Sequence, residues 1–146
     1  MYKDILVPVD LDDENSWQAA MSRAVELAQA FGSRLHVLTV VPDFGATMVA
    51  QYFPQDYEQK IVEEARQRLH TFTKDHVPEG VDVQHLVGHG RVYDEILRMA
   101  EEADCDLICM ASHRPELRDY LLGPNAARVV RHATRSVLVV RDAPNA

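Results

Sequence analysis

The chain has 146 residues, with 23 acidic and 15 basic side chains, a formal charge of -8 and two cysteines. One domain of that size buries a core without metal or disulfides, and two cysteines do not build a disulfide framework. The acidic balance excludes a general affinity for nucleic acid phosphates, and no apolar run approaches the ~20 residues that cross a bilayer.

Taken in chain order, strand-type and helix-type patterns alternate. Lys3–Val9 is a short apolar run ending at Asp10 and reads as a strand. From Ser16 to Phe31, the residues Trp17, Met21, Ala24, Leu27, Ala28 and Phe31 recur at helical spacing, and Gly32 stops the pattern. Arg34–Val41 is a second strand, closed by Pro42. Asp43–Gln55 has no period and reads as a loop. A long helix follows to His76, with Tyr57, Ile61, Val62, Ala65, Leu69 and Phe72 as its buried stripe.

Pro78 and Gly80 lead to a third strand, Asp82–Val87, and Gly88-His89-Gly90 reads as the turn after it. A helix to about Ala103 buries Tyr93, Ile96, Leu97 and Ala100. Asp106–Ser112, a helix Asn125–His132 and Ser136–Arg141 complete the chain. Near-continuous apolar strands alternating with helices predict an α/β domain, a parallel sheet covered on both faces by right-handed crossovers. Ligands of such sheets sit beyond the carboxyl ends of strands where the order reverses. The ends to inspect are Pro8-Val9-Asp10, Val40-Val41-Pro42 and Met110-Ala111-Ser112. The strand–loop–Gly123–helix unit between Asp106 and Arg141 is suited to holding phosphate, because free N–H groups gather at such a helix start.

Other chemistry is sparse. The seven histidines are scattered, and His85 and His89, four apart around a strand end, are a weak basis for a metal site. Cys105 and Cys109 are expected on one side of a strand as buried, unreactive thiols. No Ser-His-Asp order, Cys-His pair or close carboxylate pair has a catalytic spacing. The chain therefore reads more as a binding protein than as an enzyme. Charges and a proline in the first ten residues exclude a signal peptide, so a cytoplasmic location is expected.

The segments YKDILVPVD, AVELAQAFGSRLHVLTVV, the Gly90 turn before EILRMAEEADCDLICMASH, and LLGPNAARVVRHATRSVLVVR resemble the universal stress protein family over essentially the whole chain. The last segment is most similar to the compact F and G members of that UspA-like family. The resemblance implies one domain over residues 1–146, with an adenine nucleotide alpha hydrolase-like fold. It implies an open five-stranded parallel sheet of order 3-2-1-4-5, and homodimers formed through the last strand, with tetramers as a further assembly. It also implies a bound ATP in many members, with Mg2+ as its companion ion, and a role in the stress response through a protein partner.

The family's nucleotide motif runs glycine, two residues, glycine, nine residues, glycine, then Ser or Thr. Ala111 stands at the first glycine, Arg114 at the second, Gly123 at the third after a gap one residue short, and Pro124 at the hydroxyl residue. Pro124 lacks both the hydroxyl and the N–H. It does suit the first position of a helix, and Asn125 and Ala126 still bring N–H groups to that helix start.

By the same resemblance, Asp10 would accept from a ribose or adenine amino group. Pro8, Val9 and Val40 would contact the base, and Met110 the sugar. Asp10 is open to a second reading as a loop-stabilising carboxylate beside Asp12 and Asp13. Arg114 either neutralises phosphate in bidentate fashion or pairs with Glu116 or Asp119. His113 either meets a phosphate or orders the loop. Three functions follow: a nucleotide-binding regulator, a dimeric adaptor that binds no nucleotide and, lacking a base or metal ligand set, at most a slow ATP hydrolase.

Overall fold

The computed structural model describes residues 1–41, 57–112 and 123–141. The elements alternate as β1 (Asp4–Pro8), α1 (Gln18–Phe31), β2 (Arg34–Val41), α2 (Tyr57–His76), β3 (Val83–His89), α3 (Val92–Glu102), β4 (Leu107–Ala111), α4 (Pro124–His132) and β5 (Ser136–Val140). A 3-10 turn, Glu14–Ser16, precedes α1. Every strand pair is parallel and the sheet order is β3-β2-β1-β4-β5.

Alternation along the strands splits the apolar side chains between two layers. Ile5, Val7, Leu35, Val37 and Cys109 meet Trp17, Met21 and Ala24 of the first crossover and Leu69 and Phe72 of α2. Leu6, Leu38, Ile108 and Met110 meet Ile96, Met99 and Ala100 of α3 and Ala126 and Val129 of α4. Each fully buried Leu or Ile contributes about 1.5–3 kcal/mol. Trp17 meets Phe72 edge-on, with ring centroids 4.7 Å apart, tying the start of α1 to α2.

The order reverses between β1 and β4, and this seam is short. β1 pairs with β2 from Asp4↔Arg34 to Pro8↔Leu38, but with β4 only through Ile5↔Leu107 and Leu6↔Ile108. At its amino end the seam is closed by Asp106, whose carboxylate accepts from Lys3 N–H at 3.0 Å and Asp4 N–H at 3.1 Å. Those donors overcome the effect of burial and hold the Asp106 carboxyl below its ordinary pKa. At the carboxyl end the two strands part and leave a crevice.

Four expectations need correction. Gly88 and His89 belong to β3, paired with Val40 and Val41, so the turn begins only at Gly90. Phe31, placed on the buried stripe of α1, is 43% exposed, because the helix ends there at Gly32. Gly32 takes φ 68°, the left-handed conformation that closes a helix, and its N–H returns to Ala28 C=O. Cys105 precedes β4 and lies in the α3–α4 layer, whereas Cys109 on β4 lies in the α1–α2 layer. They therefore point to opposite faces. Both are buried as expected, and burial pushes each thiol up to about 12.

The fourth correction is that polar side chains also enter the core. Thr73 of α2 and Glu95 of α3 are buried with hydrogen-bond partners, where periodicity had counted only apolar residues. Among the described residues, no helix is long and apolar enough to cross a membrane.

Candidate functional site

The crevice between the carboxyl ends of β1 and β4 holds a cavity of about 500 Å³. Its floor is the α3–α4 core: Leu38, Ile96, Met110 and Ala126. Pro8, Val9 and Asp10 form one wall as β1 leaves the sheet. Val40 stands beside them on β2, Ala111 and Ser112 end β4 opposite, and Gly123, Pro124 and Asn125 bring in the start of α4. Every described residue that the sequence placed in the site lines this cavity. His113, Arg114 and the Asp43–Pro54 segment lie outside the described residues.

Backbone direction decides what the β2 wall offers. Val9 N–H bonds Leu38 C=O at 2.8 Å, so Leu38 turns its carbonyl toward β1. Val40, two residues on, turns its N–H and C=O to the same side. There the chain has already left the sheet at Asp10. A flat heteroaromatic ring that presents one donor and one acceptor on its edge suits that pair.

The loop between β1 and α1 is held by its own side chains. Asp10 Oδ1 accepts from Asp12 N–H at 3.0 Å, and Asp13 Oδ1 from Asn15 N–H at 3.1 Å. Ser16 Oγ accepts from Asp10 N–H at 3.1 Å and lies 2.7 Å from Asp13 C=O, to which it donates. Asp10 thus performs the loop-stabilising role and lines the cavity as well. Its second oxygen makes no hydrogen bond among the described residues. Asp12 pairs with Arg68 of α2 at 2.8 Å, and both side chains are largely in water, where such a pair contributes little.

At the α4 end, Gly123 N–H donates to Ser112 Oγ at 2.9 Å, and Ser112 N–H donates to Val140 C=O of β5 at 3.1 Å. Pro124 occupies the first helical position, as expected. Ala127 N–H returns to Gly123 C=O, which leaves the N–H groups of Asn125 and Ala126 for a ligand.

Ser112, Ser16, Asp12, Asp13, Leu38, Val92 and Ile96 also line the cavity and were not among the site residues read from sequence. A hydroxyl directly after the β4 strand end was the available signal for Ser112. Leu38 and Ile96 look like any core residue, and Val92 is a first-turn residue of α3 whose place only the packing reveals.

Elsewhere, His85 stacks on His70, with ring centroids 3.7 Å apart, and its Nε2 lies 2.6 Å from Thr73 Oγ1. His89 approaches Glu58, Nε2 to Oε1, at 2.8 Å. The two histidines thus serve different contacts. Among the described residues no group of three or more His, Cys, Asp or Glu could hold a metal ion.

A family model described as the Universal stress protein family matches residues 1–141. The chain belongs to that family. Universal stress protein G of Salmonella typhimurium is 38% identical over 144 residues, covering 97% of this chain and 100% of the relative. That agrees with the likeness of the NAA-x-VVRHA stretch to the compact members. The solved structure of MJ0577, a universal stress protein of Methanocaldococcus jannaschii, superposes with a TM-score of 0.79 at 26% identity and covers 99% of both chains. A universal stress protein solved in complex with cAMP gives a TM-score of 0.62 at 24% identity over 97% of this chain and 98% of its own. At that identity it carries the fold alone. The 3-2-1-4-5 sheet with helices on both faces is the adenine nucleotide alpha hydrolase-like fold of this family.

Proposed function

We propose that this protein is a cytoplasmic, homodimeric regulator that binds an adenine nucleotide in the crevice between β1 and β4. The observation that carries the reading is convergence. Strand ends and a helix start more than a hundred residues apart in sequence enclose one cavity of about 500 Å³ at the point of strand reversal. Val40 backbone groups would read the edge of the base, Leu38 and Met110 would pack on its face, and the Asp10 carboxylate would accept from the ribose hydroxyls. Adenine ligands of other members of the fold, such as the cAMP of one solved complex, are consistent with this use of the crevice.

A nucleoside fits these residues, whereas for the triphosphate of ATP the described residues alone supply few contacts. Its contacts would fall to two backbone N–H groups, the Ser112 hydroxyl and residues outside those described.

Occupancy would reach the rest of the molecule through Ser112, whose side chain faces Gly123 in the cavity wall and whose N–H bonds β5. β5 is a sheet edge with Leu138 37% exposed. Pairing with the same edge of a second copy would cover it.

Calorimetric titration of the nucleotide-stripped protein with adenosine, AMP and ATP, with and without Mg2+, tests the reading. Micromolar binding of at least one adenine ligand is expected, weakened for all of them by Asp10→Ala. No heat and no thermal shift with any ligand would leave the second reading, a dimeric adaptor without nucleotide. The Ser112–Gly123 bond and Pro124 are what favour that reading.

A further inference from the structure

We propose that the cavity selects adenine ligands of low negative charge, the nucleoside or its monophosphate, and discriminates against the triphosphate. This rests on the nucleotide reading above and concerns the end of the cavity where phosphates would emerge.

The first argument is the supply of donors. The start of a nine-residue helix normally offers several N–H groups to an anion. In α4, Gly123 N–H is spent on Ser112 Oγ at 2.9 Å, and Pro124 has none. Only Asn125 and Ala126 N–H remain. The Ser112 hydroxyl replaces a peptide donor with a single neutral O–H.

The second argument is the sign of the charge around the opening. Asp10, Asp12 and Asp13 all line the cavity, and its described lining contains no Lys, Arg or His. Arg68 offsets Asp12 alone, at 2.8 Å. The partners of Asp10 and Asp13 are backbone N–H groups, which orient a carboxylate without cancelling its charge. The whole chain adds a net -8. Against the described lining, a triphosphate therefore brings several negative charges toward three carboxylates, with few donors among the described residues to compensate. Adenosine brings none, and a monophosphate can use the two N–H groups at the helix start.

Salt dependence separates attraction from repulsion. The experiment is titration of the full chain with adenosine, AMP and ATP from about 0.05 to about 0.5 M salt, across which the screening length falls severalfold. At low salt, ATP is expected to bind on the order of tenfold more weakly than adenosine, the size of one like-charge contact near a protein surface. The ratio should close as salt rises. Asp13→Asn keeps the oxygen that accepts from Asn15 N–H and removes one charge. It should strengthen ATP at low salt by more than it changes adenosine.

ATP binding tighter than adenosine, with an affinity that falls as salt rises, would overturn the proposal. Loss of that advantage in Arg114→Ala would then assign the phosphates to Arg114. ATP that overtakes adenosine only with Mg2+ would also overturn it and give the carboxylates a metal-holding role. Failure of all three ligands to bind would reject the nucleotide reading itself, and this one with it. Adenosine binding with ATP excluded leaves both standing.

Discussion

Glu95 is a buried carboxylate, 7% exposed, with every oxygen engaged. Oε1 accepts from His89 N–H and from Arg98 Nη2, both at 2.7 Å, and Oε2 from Arg98 Nε at 2.8 Å. The Arg98 fork, ahead of the His89 N–H, holds this carboxyl below its ordinary pKa against the opposing effect of burial. The arrangement fixes α3 against β3, and so sets where Val92 and Ile96 of the same helix stand in the cavity wall.

It also explains Gly88, where a Cβ would lie 3.1 Å from Glu95 Cβ and 3.2 Å from its Oε1. Gly88→Ala is expected to destabilise the protein by roughly 1–3 kcal/mol, the usual cost of overpacking a well-filled site. Urea unfolding measures it, and an unchanged midpoint would refute the packing argument. In the sequence, Gly88 reads as part of a turn because glycine is the commonest turn residue. The reason for it comes from a helix seven residues further on, and no local pattern carries that. Asp10 was legible as a cavity residue, but its Asx-type bond to Asp12 N–H was only one of two open readings.

At the level of elements, strands were the most legible part of the chain. β2 was bounded correctly from its apolar run between Gly32 and Pro42, and β1, β4 and β5 to within one residue at either end. Buried parallel strands are nearly all apolar, so the signal is strong. Helix faces were read less well at their ends. Phe31 continues the spacing of α1, yet it is the last residue before the Gly32 cap and is left exposed.

α2 and β3 meet through a contact that spacing does not reveal, the stacked His70 and His85. Burial, and then the neighbouring His70 charge, lower the pKa of His85 below 6.5. The groups that face it are His70 and Thr73 on α2, with His89 and Glu58 paired further along the same two elements. An unfolded chain then takes up the proton before the native one does, so stability falls as acid is added. The contribution is whole above pH 6.5 and is lost between 6.5 and the lower native value. Melting temperatures between about pH 7.5 and 5 should drop more steeply for the wild type than for His85→Gln; equal slopes would clear His85 of the effect.

For the whole molecule, the outer strands of the sheet are β3 and β5, each with one neighbour among the described residues. β5 is the short one, and its Leu138 is exposed on the α1–α2 side while Val137 and Val139 are half-buried on the other. An uncharged, apolar edge of this kind favours self-pairing. Light scattering at micromolar concentration should give the mass of a dimer. Leu138→Lys is expected to shift it toward the monomer without lowering helix content, and a wild-type monomer would refute the proposed edge. The order of the strands was not derivable from periodicity, since alternating patterns fit several doubly wound orders. Family resemblance supplied it, and the register confirms it.

The seam between β1 and β4 is the shortest ladder of the sheet, and α1 packs across it on one face. Three strands lie on one side and two on the other, two plates joined within the sheet by Ile5↔Leu107, Leu6↔Ile108 and the Asp106 N–H on Asp4 C=O. The Asp106 carboxylate pins the amino end, so any rocking of the plates has its pivot there and its largest travel at the crevice. A molecule lodged between Val9 and Met110 would act as a wedge at the far end of a lever. Small differences in what fills the crevice would then become angular differences between the two plates, and β5, the outer rim of the smaller plate, would move farthest.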